Sequence, residues 1–190
     1  MVFPSAYFPP IPWFSALSNG GSVFIEQYEN YQKQSIRNRC TIDSPNGPLH
    51  LSIPVDRSCF RGGHCLMKDV RISTHTDWQR QHWYALETSY YNSPFFEYLQ
   101  DDFRPFYERN WTFLIDFNEA LTHQCLQLLD LPTTLLRTES YVGISSPQTV
   151  NSQLSTPNYY QVFAHKHGFL PDLSIIDLIF NMGGEAPLYL

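Results

Sequence analysis

The sequence predicts an α+β fold in which a small, mainly antiparallel sheet, formed by the first 75 residues, is covered by helices from the middle and the C-terminus. Three observations predict it. Short β-branched and aromatic segments surround one strong turn signal near the start, helical periodicity dominates residues 78–129, and an apolar segment of helical character precedes the C-terminus. The 190 residues contain no internal repeat and suit a single domain spanning residues 1–190.

The first elements are predicted to be short. Proline cannot donate to a strand ladder, so a strand in the proline-rich N-terminal segment is restricted to residues 1–3 or to a sheet edge. Pro12 favours the start of a short helix, because proline is tolerated in a first helical turn. Val23 to Ile25 are β-branched and aromatic and predict a second strand. A further strand is predicted over residues 68–72.

Residues 44–48 predict a β-hairpin, because their Asn-Gly pair suits the positive φ of a tight turn. Residues 49–53 alternate between apolar and polar side chains, as a half-buried strand does. The segment before the turn also has a period of two. It places Asn38, Cys40 and Ile42 on one strand face and Arg37, Arg39 and Thr41 on the other.

Helical periodicity and helix-end residues predict the later elements. Ser93 and Pro94 separate the first two helices, because proline cannot continue a helix. Asn118 and Ser174 are expected to cap the third and the last helix. The helices are predicted over residues 78–92, 95–106, 117–129 and 175–180, and an aperiodic loop is predicted over residues 139–159.

Composition narrows the class of protein. Charged residues make up 16% of the chain, below the quarter or so that is usual, and aromatic residues also make up 16%, which favours aromatic packing or a pocket. The net charge of -6 argues against nucleic-acid binding, which requires a basic face. No apolar segment approaches the roughly 20 residues of a membrane span, and none resembles a signal peptide. A cytoplasmic location is therefore expected.

No metal or cofactor is predicted. The four cysteines form no CxxC pair, and they are expected to be reduced thiols. Cys59, His64 and Cys65 fit no standard zinc signature. Neither GxxxxGK[ST] nor GxGxxG occurs, so no nucleotide-binding loop is predicted.

Residues 23–42 contain the densest set of planar polar groups and predict a binding site. Lys33, Arg37 and Arg39 are candidates for binding phosphate or carboxylate, since arginine offers a fork of donors and lysine a point charge. The alternative is that these cations only pair with the nearby glutamates, Glu29 and Lys33 forming an i,i+4 helical pair. Arg39 has no carboxylate on its own strand face, so it is the best candidate.

The other candidate ligand contacts are less specific. Tyr28 and Tyr31 can stack on a sugar or base ring. Asn38 is either a ligand contact or a buried amide that holds a neighbouring loop. Asp177 lies on an otherwise apolar helix, where a carboxylate must be exposed or paired, and it is included as a substrate-binding candidate.

Two residues are candidates for proton transfer. Glu26 precedes the cationic cluster in the sequence, and His82 lies on an aromatic helical stripe. Histidine is the usual general base near neutral pH. The alternative for His82 is a core histidine with one hydrogen-bonded nitrogen.

Several segments together resemble the WbqC-like protein family, and they follow in order from end to end of the chain. The most specific are the block from Glu26 to Ile42 and the apolar ending LSIIDLIFN at residues 173–181. The others are YFPPIPWF at 7–14, NGPLHLSIPV at 46–55, Trp78, SYYNSPFFEYL at 89–99, FLIDFN at 113–118 and QVF at 161–163.

The resemblance implies a product of bacterial surface-polysaccharide genes, for which transfer to or from an activated sugar has been supposed. The leading expectation is thus a cytoplasmic transferase-type enzyme of cell-surface polysaccharide biosynthesis that acts on a phosphorylated or nucleotide-linked sugar. The alternative is a non-catalytic binding or assembly module that uses the same polar cluster for recognition. Residues 139–160 contain neither Lys nor Arg, which suits the alternative. The oligomeric state is not predicted.

Overall fold

The computed structural model describes residues 1–18, 20–144 and 156–190. The protein is α+β, but the predicted single, mainly antiparallel sheet is wrong. The larger sheet has three parallel strands in the order β1 (Val2–Pro4), β2 (Gly21–Glu26) and β5 (Thr133–Arg137). The antiparallel pair is a separate sheet formed by β3 (Arg39–Ile42) and β4 (Leu49–Ser52).

The parallel arrangement follows from how the strands are connected. A helix, α1 (Ile11–Ser15), joins β1 to β2 and returns the chain to the end at which β2 begins. Two strands connected by such a crossover run parallel. On its other edge β2 pairs with β5. The sequence does not predict β5 as a strand, because the preceding Pro132 indicates only the end of a helix. Its pairing partner lies more than a hundred residues earlier in the chain.

The hairpin prediction is confirmed. Cys40 lies opposite Leu51 and Ile42 opposite Leu49, and Gly47 adopts a φ of 98° in the turn. The strand predicted over residues 68–72 is wrong, because Met67–Asp69 form a 3-10 turn and Ile72 makes only an isolated bridge to Val55.

The four predicted helices are confirmed with shifted ends. They are α2 (Trp78–Tyr90), α3 (Phe96–Glu108), α4 (Leu114–Leu128) and α6 (Ile175–Met182), and a short α5 (Ala164–His167) precedes the last one. The cap predicted at Asn118 is wrong, because Asn118 lies inside α4. Ser174 is the N-cap residue of α6 as predicted, but its hydroxyl donates to the Phe8 carbonyl at 2.8 Å and makes no capping hydrogen bond.

One aromatic core joins the sheet and the helices. Tyr7, Trp13, Phe117 and Phe180 are each at most 1% exposed. α6 lies inside this core, since seven of its eight residues are buried. None of the described helices combines the length and the apolar character that crossing a bilayer requires. The loop predicted over residues 139–159 falls largely on residues 145–155, which lie outside the described ranges.

Candidate functional site

Glu26 ends the central parallel strand, at the sheet edge where open α/β sheets commonly bind ligands. Its carboxylate is fully buried and accepts hydrogen bonds from the amides of Tyr28 (2.8 Å), Val142 (2.8 Å) and Gly143 (3.2 Å) and from the hydroxyl of Thr138 (2.9 Å). Burial alone raises the pKa of Glu26, but these four donors together hold the pKa below its ordinary value. Glu26 therefore joins the loops that follow β2 and β5, with no capacity left for a substrate proton.

Glu29 and Arg37 form a buried ion pair. Arg37 Nε donates to Glu29 Oε1 at 2.8 Å, and Nη2 contacts Oε2. Burial raises the pKa of Glu29, and the guanidinium of Arg37 opposes that rise. The predicted helical pair of Glu29 with Lys33 does not form, because residues 29–35, all of them described, contain turns and no helix.

Asn38 is also buried and supports the backbone. Its Nδ2 donates to the carbonyl oxygen of Ile53 at 2.9 Å, just beyond the end of β4. Its side chain thus holds a neighbouring segment and offers no surface to a ligand.

His82 lies within the aromatic core, where it contacts Trp78 edge-on. Its Nδ1 is 2.9 Å from the hydroxyl of Tyr7, which is itself 2.8 Å from the hydroxyl of Tyr107. Burial lowers the pKa of His82 to about 4, although a hydrogen bond with the Ser52 backbone opposes the shift. The imidazole is therefore neutral at pH 7 and inaccessible to a substrate.

Asp177 belongs to a buried polar cluster at the other end of the core. Its two oxygens accept hydrogen bonds from Tyr90 (2.8 Å) and Tyr159 (2.6 Å). The buried carboxylate of Asp43 lies nearby, 3.0 Å from His167 Nε2. Burial raises the pKa of Asp177 to about 7, the tyrosine donors oppose the shift, and the charge of Asp43 adds to it.

The remaining candidates lie near the surface. Lys68 Nζ lies 4.6 Å from the ring centre of the half-buried Tyr28. Tyr31 is buried edge-on against Phe60, and Lys33 extends over the same Phe60 ring at 5.7 Å. Both lysines lie over aromatic rings, and neither forms an ion pair with a described residue.

Arg39 differs from these residues. It is exposed, and its guanidinium makes no ion pair or hydrogen bond with any described residue. It lines a cleft of about 300 Å³, which we call the Arg39 cleft. The polar residues that line the cleft with it are Gln34, Ser35, Thr41, His50, Asp172 and Ser174.

His50 is the main residue of this cleft that sequence reasoning missed. It lies directly opposite Thr41 in the hairpin, and its Nδ1 is 2.9 Å from the Thr41 hydroxyl. The signal was present in the sequence, since alternation on both sides of the Asn-Gly turn places His50, Thr41 and Arg39 on one face.

A larger cleft of about 650 Å³ lies elsewhere, and we call it the Arg61–Arg71 cleft. Its described lining residues are Ser58, Cys59, Arg61, His64, Cys65, Leu66, Asp69, Arg71 and Phe113. None of them is a predicted binding residue, because they lie outside residues 23–42, from which the binding site is predicted. The described residues contain no group of three His, Cys, Asp or Glu side chains arranged to hold a metal ion.

Comparison with known proteins gives the family. The model of the WbqC-like protein family matches residues 5–154, which is most of the chain. The chain belongs to the WbqC-like protein family. It is also similar to the uncharacterized protein Rv1507c of Mycobacterium tuberculosis, with 26% identity over 228 residues that cover 100% of this chain and 96% of that protein. No solved structure matches.

The family match bears differently on the two clefts of this WbqC-like chain. It includes every described lining residue of the Arg61–Arg71 cleft. It includes Arg39 and His50 but ends before Asp172 and Ser174, which close the Arg39 cleft from the C-terminal side.

Proposed function

We propose that this WbqC-like chain is a transferase-type enzyme of bacterial cell-surface polysaccharide biosynthesis that binds a phosphorylated sugar, free or nucleotide-linked, in the Arg39 cleft. The observation that carries the proposal is the guanidinium of Arg39, exposed at a cleft and without an ion-pair partner among the described residues.

The chemistry of the cleft suits a sugar phosphate. A guanidinium binds phosphate with two parallel hydrogen bonds and keeps its charge at any physiological pH. Gln34, Ser35 and Asp172 supply the amide, hydroxyl and carboxylate groups that recognise sugar hydroxyls. A volume of about 300 Å³ is at the lower end for ligand pockets, so the sugar phosphate would fill the cleft and a nucleotide would extend beyond it.

His50 takes the role expected of Glu26 and His82. Both of those residues are buried and hydrogen-bonded, whereas His50 is exposed in the cleft that contains Arg39. A transferase requires a base that accepts the proton of the attacking hydroxyl or amine, and histidine is the side chain best suited to this near neutral pH. Thr41 would orient the imidazole through its hydrogen bond to Nδ1.

Calorimetric titration with glucose 1-phosphate and with UDP-glucose tests the binding step. Arg39→Ala is expected to weaken binding about tenfold or more, since a hydrogen bond to a charged group contributes about 1.5–3 kcal/mol. Arg80→Ala is the matched control, because Arg80 is an exposed arginine on α2 that pairs only with the exposed Asp77. Equal weakening in both variants, or binding of neither ligand, would contradict the proposal.

The burial of Glu26 and His82 favours a second candidate, a non-catalytic recognition module. A transfer assay with His50→Gln separates the two. Loss of turnover with unchanged affinity supports the enzyme. Arg39-dependent binding without turnover on hydroxyl or amine acceptors supports the module.

A further inference from the structure

We infer that the chain has a second ligand site, in the Arg61–Arg71 cleft, and that this site binds the diphosphate group of a nucleoside diphosphate or its ester. The inference goes beyond the proposed function and does not depend on it, because the two clefts have no described lining residue in common.

One wall of the cleft is a tight hairpin. The amide of Arg61 donates to the carbonyl of His64 at 2.9 Å, and the amide of His64 donates back at 3.0 Å. Gly62 and Gly63 between them have φ values of 57° and 86°, which glycine adopts without strain. The backbone thus holds Arg61 and His64 opposite each other in the lining of the cleft.

Arg71, which also lines the cleft, is held by backbone contacts of its own. The carbonyl of Arg71 accepts a hydrogen bond from the amide of Asp56 at 2.8 Å, and Arg71 forms a bridge with Phe113. The guanidinium of Arg71 lies 5.7 Å from the Phe113 ring centre, within the range of a cation–π contact. This wall therefore presents a cation beside an aromatic ring.

The described lining of this cleft contains two guanidiniums and one carboxylate. Five arginines form no ion pair with a described residue, namely Arg39, Arg57, Arg61, Arg71 and Arg109, and of these Arg61 and Arg71 line the same cleft. Asp69 is the one carboxylate among the described lining residues. Two unpaired guanidiniums at one cleft of a chain with a net charge of -6 indicate a binding site for an anion.

Size and shape favour a diphosphate ester over a single phosphate. Each guanidinium can bind one phosphate group through its fork of donors. The volume of about 650 Å³ lies in the middle of the range for ligand pockets and exceeds what an inorganic anion needs. Phe113 and Leu66 provide an apolar wall for the organic part of the ligand.

Cys59 supplies a native reporter for this site. It lines the cleft and is half-buried, whereas Cys40, Cys65 and Cys125 are buried. We expect ADP to slow the alkylation of Cys59 by iodoacetamide about fivefold or more, measured by mass spectrometry of the peptide that contains it. Pyrophosphate should compete with ADP if the diphosphate is the recognised group, and failure to compete would contradict that assignment.

Variants test the role of the guanidiniums. Arg61→Ala and Arg71→Ala should each remove the protection of Cys59 at the same ADP concentration. Arg57→Ala should retain it, because Arg57 is an exposed arginine in the same loop that does not line the cleft. Arg39→Ala should also retain it, so failure of the proposed function is distinguishable from failure of this inference.

Besides failure of pyrophosphate to compete, three outcomes would overturn the inference. They are unchanged alkylation of Cys59 with ADP present, equal loss of protection in Arg57→Ala and Arg61→Ala, and loss of protection in Arg39→Ala alone. Thermal melting of each variant shows that it is folded. Arg71→Lys, which keeps the charge and loses the fork, should weaken the protection without removing it.

Discussion

The guanidinium of Arg37 holds the carboxylate of Glu29 in a two-pronged contact, and each side chain is only 6% exposed. The carbonyl of Arg37 also accepts a hydrogen bond from Asn118 Nδ2 at 2.8 Å, which ties the pair to α4. This contact fixes the backbone two residues before Arg39. The exposed arginine of the proposed site thus depends on a buried one.

Arg37→Ala is expected to lower the free energy of unfolding by about 3–5 kcal/mol, because it leaves the Glu29 carboxylate buried without its cation. Urea denaturation measures this. The double variant Glu29→Leu/Arg37→Leu should lose less than Arg37→Ala, since no buried charge remains. A loss below about 1 kcal/mol in the single variant would show that the pair is not buried in solution.

Glu26→Gln is expected to release the loop that follows β5. The amide of glutamine replaces one acceptor oxygen with a donor, so one or more of the four donors lose their partner, at about 1–3 kcal/mol each. Hydrogen exchange at the amides of Val142 and Gly143 should accelerate. Unchanged exchange at both amides would show that Glu26 does not hold the loop. Glu108→Gln, at an exposed ion pair with Arg104 on α3, is the control.

Asp177 should make the protein less stable as the pH rises. Its pKa is about 7 in the folded chain and about 4 in an unfolded one, so the folded state binds more protons between these values. The free energy of unfolding then falls by up to about 1.4 kcal/mol per pH unit. In Asp177→Asn this fall in the free energy of unfolding should disappear. Urea denaturation from pH 4 to pH 7 measures the slope, and an unchanged slope in the variant would contradict the assignment.

His82 should make the protein more stable as the pH rises. Its pKa is about 4 in the folded chain and about 6.5 in an unfolded one, so the unfolded state binds more protons between pH 4 and pH 6.5. The free energy of unfolding rises with pH over this interval. In His82→Asn the rise should be lost, leaving a steeper fall than in the unaltered chain. A variant whose pH profile parallels that of the unaltered chain would show that His82 is not buried as a neutral ring.

The elements with local signals could be predicted, and those with distant partners could not. The β3–β4 hairpin and α2 are specified by a turn pair and by a periodicity within a few residues. The pairing of β2 with β5 depends on residues more than a hundred positions apart, and no local pattern encodes it. The sheet was therefore expected to be antiparallel and is parallel.

The same distinction applies to the candidate site. The cation-rich block directs attention to Arg39, because the lack of a carboxylate on its strand face is visible in the sequence. The burial of Glu26 and His82 is not visible in the sequence, since their hydrogen-bond partners Thr138 and Tyr7 are 112 and 75 residues away. The Arg61–Arg71 cleft depends on an aperiodic segment, whose geometry is set by isolated backbone bridges.

The bonds that Glu26 makes have a consequence for the order in which the chain folds during its synthesis. Its hydroxyl donor, Thr138, follows 112 residues later, and β5 ends at Arg137. Until that segment has been synthesised, β2 has one open edge and the carboxylate at its end lacks the hydroxyl of Thr138 and the amides of Val142 and Gly143 as donors. β1 and β2 therefore cannot complete their sheet before β5 has been synthesised. The N-terminal half is expected to become stable only after roughly three quarters of the chain has been made.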